Sequence, residues 1–292
     1  MVPPSVLASM FPAVHTTKNQ PARAECGKPA AKRKRPVSSK KLKNGDDAAP
    51  TAQGTLMTLI QQRGYNITRM KADDAGYDAV PSALQLASFG THLVRAVHTS
   101  DSALLSELLE CGLSPNPCNQ FRDSVIDLVC KRANETIFHC LVDHGCDLQT
   151  VDGFGRTPLH HACWASSLCR PIVESIVAHD PIQFFIEDKH GQTPLEYVRS
   201  DLQAEWIEFL QERADDFWPM GGTQPPQFHC PKEKRPDGTL PDPPNAISVT
   251  LAAMVSAGTM TPAQVMEMDE HQRKHFSANN SSGSKNNAQK ED

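Results

Sequence analysis

One motif recurs four times along this chain at a nearly constant spacing. Thr157 has counterparts at Thr91, Ser124 and Thr193, and the intervals between them are 33, 33 and 36 residues. A Thr or Ser just before a helix stabilises it, because the side-chain oxygen accepts a hydrogen bond from a backbone N–H group that the helix leaves unpaired. Pro158 suits the first helical position, where no N–H is needed. The period therefore predicts four similar units, each starting a helix at one of these markers.

Two further markers repeat in the same register. Gly112 and Gly145 lie 21 residues after a Thr or Ser marker, and Asn119 and Asp152 lie 28 residues after one. Glycine readily adopts the left-handed conformation that ends a helix, so the second helix of each unit is expected to end there. The residues that follow are expected to cross to the next unit as an extended finger. The third unit is three residues longer, and its extra residues are placed near 165–171, between its two helices.

Apolar residues within the units have the spacing of amphipathic helices. Ile137, Cys140 and Leu141 lie three to four residues apart on one predicted helix, and Leu159 and Ala162 are expected to face the core on another. A single helix pair cannot bury its own apolar face, so stability comes from stacking neighbouring units. The sequence therefore predicts an all-α solenoid of about four helix-pair repeats with short finger loops.

Residues 157–162 read Thr-Pro-Leu-His-His-Ala and resemble the ankyrin signature T-P-L-H-x-A, which has a period of 33 residues. Residues 191–195, Gly-Gln-Thr-Pro-Leu, resemble it again. The resemblance extends over residues 90–214 and implies an ankyrin-repeat array that binds another protein and catalyses no reaction. In that family the histidine at position 160 ties its loop to the neighbouring repeat by hydrogen bonds. A structural role is therefore expected for the His and Cys residues of this region, and no metal site: His144, Cys146, His160, His161 and Cys163.

The regions outside the repeats differ in composition, with eight prolines in residues 219–244. The predicted organisation is a disordered basic tail (1–50), a short helix and linker (51–80), the ankyrin-repeat domain (81–215), a Pro-rich linker (216–247), a small C-terminal helical hairpin (248–276) and a disordered tail (277–292). Residues 81–89 are expected to shield the first repeat, and Trp206 and Phe209 to close the last. The methionine-rich hairpin suits partner binding, and packing back on the repeats is the alternative.

Basic residues are concentrated near the N-terminus. Ten Lys or Arg residues and one acid, Glu25, lie between positions 18 and 43, although the net charge of the chain is -5. The predicted nuclear-import signal consists of Lys32, Arg33, Lys34, Arg35, Lys40, Lys41 and Lys43. It is expected to bind a nuclear import carrier and place the protein in the nucleus, with the cytoplasm as the alternative location.

Three other interpretations of the basic segment stay open. It is a plain solvated tail, an organelle transit peptide, or a tail that contacts nucleic-acid phosphates and makes the protein a nucleic-acid-associated regulator. Phosphate binding would weaken steeply with salt, which separates that alternative from a pure protein-binding function. No aromatic residue lies between positions 18 and 43, which disfavours stacking on bases.

The resemblance also implies where a partner binds. In ankyrin arrays the first helices and finger tips line the concave side, and the outward positions lie four and seven residues after each marker. The predicted partner-binding residues are Arg95, His98, Leu128, Lys131, Arg132, Phe154, His161, Trp164 and Tyr197. Because this set mixes cationic and aromatic groups, the partner is expected to present an acidic segment with an apolar anchor.

Several chemistries have no motif in the sequence. There is no Gly-rich phosphate loop, no Gly-x-Ser-x-Gly turn and no Cys-x-x-Cys pair among the nine cysteines. No apolar run approaches the roughly 20 residues that a membrane helix needs. The sequence therefore predicts a protein without catalytic activity, cofactor, bound metal or membrane span, and with reduced thiols.

Overall fold

The computed structural model describes residues 49–220 and 233–276. The predicted tail 277–292 and residues 1–48 of the basic tail lie outside the described residues. In chain order the elements are α1 (Ala52–Gln62), β1 (Met70–Lys71), α2 (Ala83–Ser88), α3 (Thr91–His98), α4 (Ser102–Glu110), α5 (Val125–Lys131), α6 (Glu135–Asp143), α7 (Pro158–Cys163), α8 (Arg170–His179), a 3-10 helix (Pro181–Phe185), β2 (Ile186–Glu187), a second 3-10 helix (Pro194–Tyr197), α9 (Gln203–Glu212), α10 (Ala214–Phe217), α11 (Val249–Ala257), α12 (Pro262–Met266) and α13 (Glu270–His275).

Four helix pairs follow one another between residues 91 and 212. α3 pairs with α4, α5 with α6 and α7 with α8, and the second 3-10 helix takes the place of the first helix in the fourth pair, before α9. The first helices contact one another in succession, and α4, α6 and α8 form a second layer in the same way. This arrangement confirms the all-α array of about four repeats predicted from the sequence.

The Thr and Ser markers lie at the starts of the first helices in the second, third and fourth repeats. The Ser124 hydroxyl accepts from the backbone N–H of Asp127 at 3.2 Å. At Thr157 the backbone N–H donates to Nδ1 of His160 at 3.0 Å, and Thr193 makes the equivalent bond to the side chain three residues later. Reciprocal bonds of this kind satisfy N–H groups that a helix leaves unpaired at its start.

The other two markers end the second helices and shape the fingers. Gly112 and Gly145 have φ angles of +109° and +84°, the left-handed conformation predicted for these positions. Oδ1 of Asp152 accepts from the backbone N–H groups two and four residues later, at 2.8 and 2.9 Å, and so closes its finger turn. Asn119 and Asp188 close the neighbouring fingers in the same way. The three extra residues lie between α7 and α8, as predicted.

The side chains predicted to face inward are buried between the two helix layers. Leu159, Ile137 and Leu141 expose none of their surface. Cys130 and Cys163 occupy equivalent positions of two repeats and are also buried, and this burial raises the pKa of both thiols. The two cysteines therefore stay protonated at neutral pH and act as small apolar core residues.

Helix α1 covers the outer side of the last repeat. It packs on α9, with Leu56 and Ile60 buried together with Trp206 and Phe209. From α1 the chain returns along the array, and β1, which lies in the predicted linker, pairs in parallel with β2. The sequence predicted the helix and the two aromatic residues that close the last repeat, but not that they pack on each other.

Helix α11 covers the first repeat together with α2. It contacts both α2 and α3, and its residues Leu251 and Val255 are buried. The Ser256 hydroxyl donates to a carbonyl of α2 at 2.6 Å. A side chain at Gly90 would place its Cβ 2.3 Å from the Ser256 backbone, so only glycine permits this approach. Gly90 also occupies the cap position of α3, and Thr91 is the first helical residue.

The segment predicted as a helical hairpin forms three helices. Gly258 ends α11 with a φ angle of +80°, and Thr261 caps α12. Asp269 then starts α13, which was not predicted. Met260 and Met268 pack against the core. Of the two alternatives for this segment, the structure therefore shows packing on the repeats.

Candidate functional site

The predicted partner-binding residues lie on the first helices and the finger turns, and differ in exposure. The exposed ones are Arg95, His98, Lys131, Arg132, Phe154 and Trp164. Leu128 and Tyr197 are half-buried, and His161 is buried. The candidate site therefore consists of the side chains that remain at the surface and of those that hold them in place.

Four side chains form a row of alternating cations and aromatic rings, the cation–aromatic row: Lys131, Trp164, Arg156 and Phe154. Nζ of Lys131 lies 4.1 Å from the centroid of the Trp164 ring. The Arg156 guanidinium lies close to two rings, 5.2 Å from the Trp164 centroid and 4.7 Å from the Phe154 centroid. All three distances fall within the roughly 6 Å at which the electron-rich face of a ring attracts a cation. The row joins the second and third repeats through the finger between them.

Other predicted residues extend this surface at both ends. The Tyr197 ring lies 5.6 Å from Trp164, and its hydroxyl donates to Asp188. Burial and this hydrogen bond raise the pKa of Tyr197 to about 12, so the hydroxyl stays protonated. At the other end, Arg132 donates to Nδ1 of His98. The surface thus runs from the first to the fourth repeat.

Two predicted residues, Arg95 and Leu128, are exposed or half-buried but do not extend this surface. Arg95 lines a surface cavity between the start of α3 and the end of α11, together with Thr91, His92, Ala257 and Gly258. Leu128 packs partly against the core. Arg95 and Leu128 occupy the same repeat position as Tyr197, which does extend the surface. At this position, burial and neighbouring side chains therefore decide which residues become part of the surface.

The prediction that His161 points outward is wrong. Its side chain is buried, with Nε2 3.2 Å from Oδ2 of Asp152 and 3.9 Å from Asp127. Both carboxyl groups are themselves buried, and burial raises the pKa of Asp127. A buried carboxylate needs polar partners, which explains why the imidazole turns toward them and not to solvent.

Arg156 is a residue of this site that the sequence analysis missed. Its Nε and Nη2 atoms both lie 2.7 Å from Oδ2 of Asp152, and its side chain is only 15% exposed. Burial alone raises the pKa of Asp152, but hydrogen bonds from His161 and Arg156 outweigh it and hold that pKa below its usual range. The signal in the sequence is the spacing of four residues between Asp152 and Arg156, because the finger turn brings both side chains together.

Aromatic rings also mark the tips of the other fingers. Phe121 is 67% exposed at the position equivalent to Phe154. His190, at the same position of the next finger, stacks on Phe154 with ring centroids 6.5 Å apart. These residues were not predicted, and the repeat period would have found them, since they lie 33 and 36 residues on either side of Phe154.

His160 links two fingers, as the ankyrin resemblance implies. Its Nδ1 accepts from Thr157, and its Nε2 donates to the carbonyl of Gln192 at 3.1 Å. Burial lowers the pKa of His160 to about 4, so the ring is neutral at neutral pH and keeps this tautomer. In the part of the chain that the structure describes, no group of three His, Cys, Asp or Glu side chains is arranged to hold a metal ion.

The predicted import signal, at positions 32–43, lies outside the described residues. Among the helices of residues 49–220 and 233–276, none combines the length and apolarity required to cross a bilayer.

Comparison with known proteins gives a match that lies in the repeat region. A search of curated proteins finds no match to this chain. The family model for ankyrin repeats (3 copies) matches residues 93–183. The match begins within α3 and extends past α8, so it covers the first three helix pairs, and the fourth pair continues the same pattern of markers. The match therefore identifies ankyrin repeats within residues 93–183 of this chain.

Proposed function

We propose that this protein is a non-enzymatic scaffold or adaptor that binds another protein through its cation–aromatic row. Ankyrin repeats generally mediate protein–protein interaction, and proteins built from them typically have no catalytic activity. The row itself is the observation that carries the proposal. Trp, Tyr and Arg are the residue types that most often dominate binding energy. Here Trp164 and Arg156 of the row lie close together, Tyr197 lies beside Trp164, and all three are partly exposed.

The row and Arg132 next to it favour a partner with an acidic stretch and one or two apolar or aromatic anchors. Lys131 and Arg132 are exposed cations, which attract acidic segments and speed encounter. Trp164 is 39% exposed, and a partner that covers the rest of its ring removes apolar surface from water. We therefore expect the exposed cations and Trp164 to affect partner binding in different ways. Measurements of the association and dissociation rates separate the two effects.

Trp164→Ala is expected to weaken partner binding by about 2 kcal/mol or more, mainly through faster dissociation. Lys131→Ala combined with Arg132→Ala is expected to slow association and to flatten its salt dependence, because long-range attraction acts before contact. Binding rates of both variants, measured by surface plasmon resonance against a partner recovered by affinity purification, check the two effects. Affinity purification without residues 90–214 is expected to lose that partner.

The melting temperature of each variant provides the control. All three side chains are exposed, so the variants are expected to melt close to the parent protein. If both stay folded and bind the partner with the parent rates, the interface lies on another surface and the proposal fails.

We further propose that the protein acts in the nucleus. The proposal rests on the run at Lys32–Arg35 and the lysines that follow it. A fluorescent reporter fused to residues 1–50 is expected to accumulate in the nucleus, because an extended basic peptide suits the acidic groove of an import carrier. Replacing residues 32–35 by Ala is expected to leave the reporter in the cytoplasm. Delivery of the unmodified fusion to an organelle would instead favour a transit peptide.

A further inference from the structure

The guanidinium of Arg156 is held more firmly than any other cation of the row. Asp152 binds its Nε and Nη2 atoms, and the centroids of the Phe154 and Trp164 rings lie 4.7 and 5.2 Å from it. Lys131 lies over the Trp164 ring and is exposed. Fixed in this way, Arg156 loses little conformational freedom when a ligand binds, which favours affinity and geometric selectivity.

The bonds to Asp152 leave the other edge of the guanidinium available. Nη1 has no hydrogen-bond partner among the described residues. A guanidinium is a planar fork of N–H donors that matches the two oxygens of a carboxylate, whereas a lysine ammonium acts as a point charge. The free edge is therefore suited to one planar anionic group.

The charges around the row decide which anion fits. Asp152 neutralises one of the two cations, Lys131 and Arg156, and leaves one net positive charge. On the neighbouring finger, Lys189 and Asp188 offset each other. One net positive charge complements a carboxylate, which carries one negative charge, better than a phosphate monoester, which carries nearly two at neutral pH.

We propose that Arg156 is the specificity-determining residue of this surface and binds a single Asp or Glu carboxylate of an extended partner segment. The inference rests on the proposed protein-binding function and deepens it. Alternate residues of an extended chain lie on one face and are about 6.6–6.8 Å apart. A partner residue two positions from the carboxylate thus reaches the exposed ring of Phe154 or Trp164, and we expect an apolar or aromatic side chain there.

The probe is a displayed library of random 12-residue peptides, selected for binding to the full chain. The selected peptides are expected to share an Asp or Glu two positions from an apolar residue. For the tightest peptide, replacing that Glu by Gln (or Asp by Asn) is expected to reduce the affinity of the parent protein at least tenfold. Selected peptides without an acid, or equal affinity of the amide form, would overturn the proposal without any change to the protein.

Protein variants test the role of the planar guanidinium of Arg156. Arg156→Lys keeps the charge and loses the planar donors, so it is expected to bind the peptide at least tenfold more weakly. Arg199→Lys is the matched control, because Arg199 also holds a carboxylate, that of Asp201, through Nε and Nη2 but lies outside the row. This control is expected to bind nearly as the parent does. Loss of binding in Trp164→Ala with parent-like binding in Arg156→Lys would keep the protein-binding surface and reject the role of Arg156. Parent-like binding in both would reject the surface as well. A phosphoserine in place of the acid that binds more tightly than Glu would assign the fork to phosphate and overturn the proposal.

Discussion

Leu159→Ala is expected to lower the free energy of unfolding by about 2–5 kcal/mol, because it leaves a cavity in a closely packed core. Leu159 exposes no surface and lies in α7, which contacts α5 on one side and the 3-10 helix of the fourth repeat on the other. Helices of a repeat array are stabilised mainly by their neighbours, so the loss is expected to loosen the adjoining repeats as well.

Urea unfolding followed by circular dichroism measures this effect. Leu86→Ala is the matched control, since Leu86 is 41% exposed on α2 and leaves no closed cavity when truncated. The control is expected to change the stability by less than about 1 kcal/mol. If Leu159→Ala unfolds at the same urea concentration as the parent, the register assigned to the third repeat is wrong.

The repeat array could be predicted because its signals are local. A cap such as Ser124 acts on a side chain three residues away, and Gly145 sets the conformation of its own backbone. Such short-range effects depend only on residues that lie close together in the sequence, and the 33-residue period repeats them in each unit. The extra residues between α7 and α8 were predictable for the same reason, since an insertion shifts every later marker by the same amount.

The covering of the two ends could not be predicted in the same way. α1 contacts α9 across more than 130 residues of sequence, and α11 contacts α2 at a similar separation. The amphipathic pattern of α1 shows that Leu56 and Ile60 need a partner, but not which apolar face provides it. The close approach of the Ser256 backbone explains why position 90 accepts no side chain, and this contact becomes visible only in the folded structure.

The candidate site was predicted in part. Repeat position identified Lys131 and Trp164, because first helices expose the same positions in each repeat. It failed for His161, whose orientation depends on the buried carboxyl groups of Asp127 and Asp152. Electrostatic partners brought together by folding thus decide which side chains stay at the surface.

Asp152→Asn is expected to destabilise the chain by about 3 kcal/mol, because removing one member of a buried ion pair leaves the other charge without compensation. Asp152 is 2% exposed and Arg156 has little access to water. The finger turn itself should survive, since an amide oxygen closes the same turn at Asn119. The new amide nitrogen would face Arg156, which has only donors, so that bond cannot be replaced.

Asp188→Asn is the matched control in the next finger. Asp188 closes an identical turn, but its other oxygen accepts from the Tyr197 hydroxyl, which can accept a hydrogen bond as well as donate one. The control is therefore expected to cost no more than about 1 kcal/mol. Equal losses of stability in the two variants, measured by urea unfolding at pH 7, would show that the turn and not the ion pair stabilises the finger.

The pH dependence adds a second test of the same ion pair. The pKa of Asp152 is lower in the folded chain than in the unfolded one, so its stabilisation is present at neutral pH and is lost as the pH falls below about 4. The pKa of His160 is lowered to about 4 from 6.5, so parent and variant alike lose stability as the pH falls through this range. The difference between parent and Asp152→Asn is therefore expected to stay constant from pH 7 to pH 5 and to shrink only in stronger acid. A difference that already disappears near pH 6 would contradict the assignment of this stabilisation to the ion pair between Asp152 and Arg156.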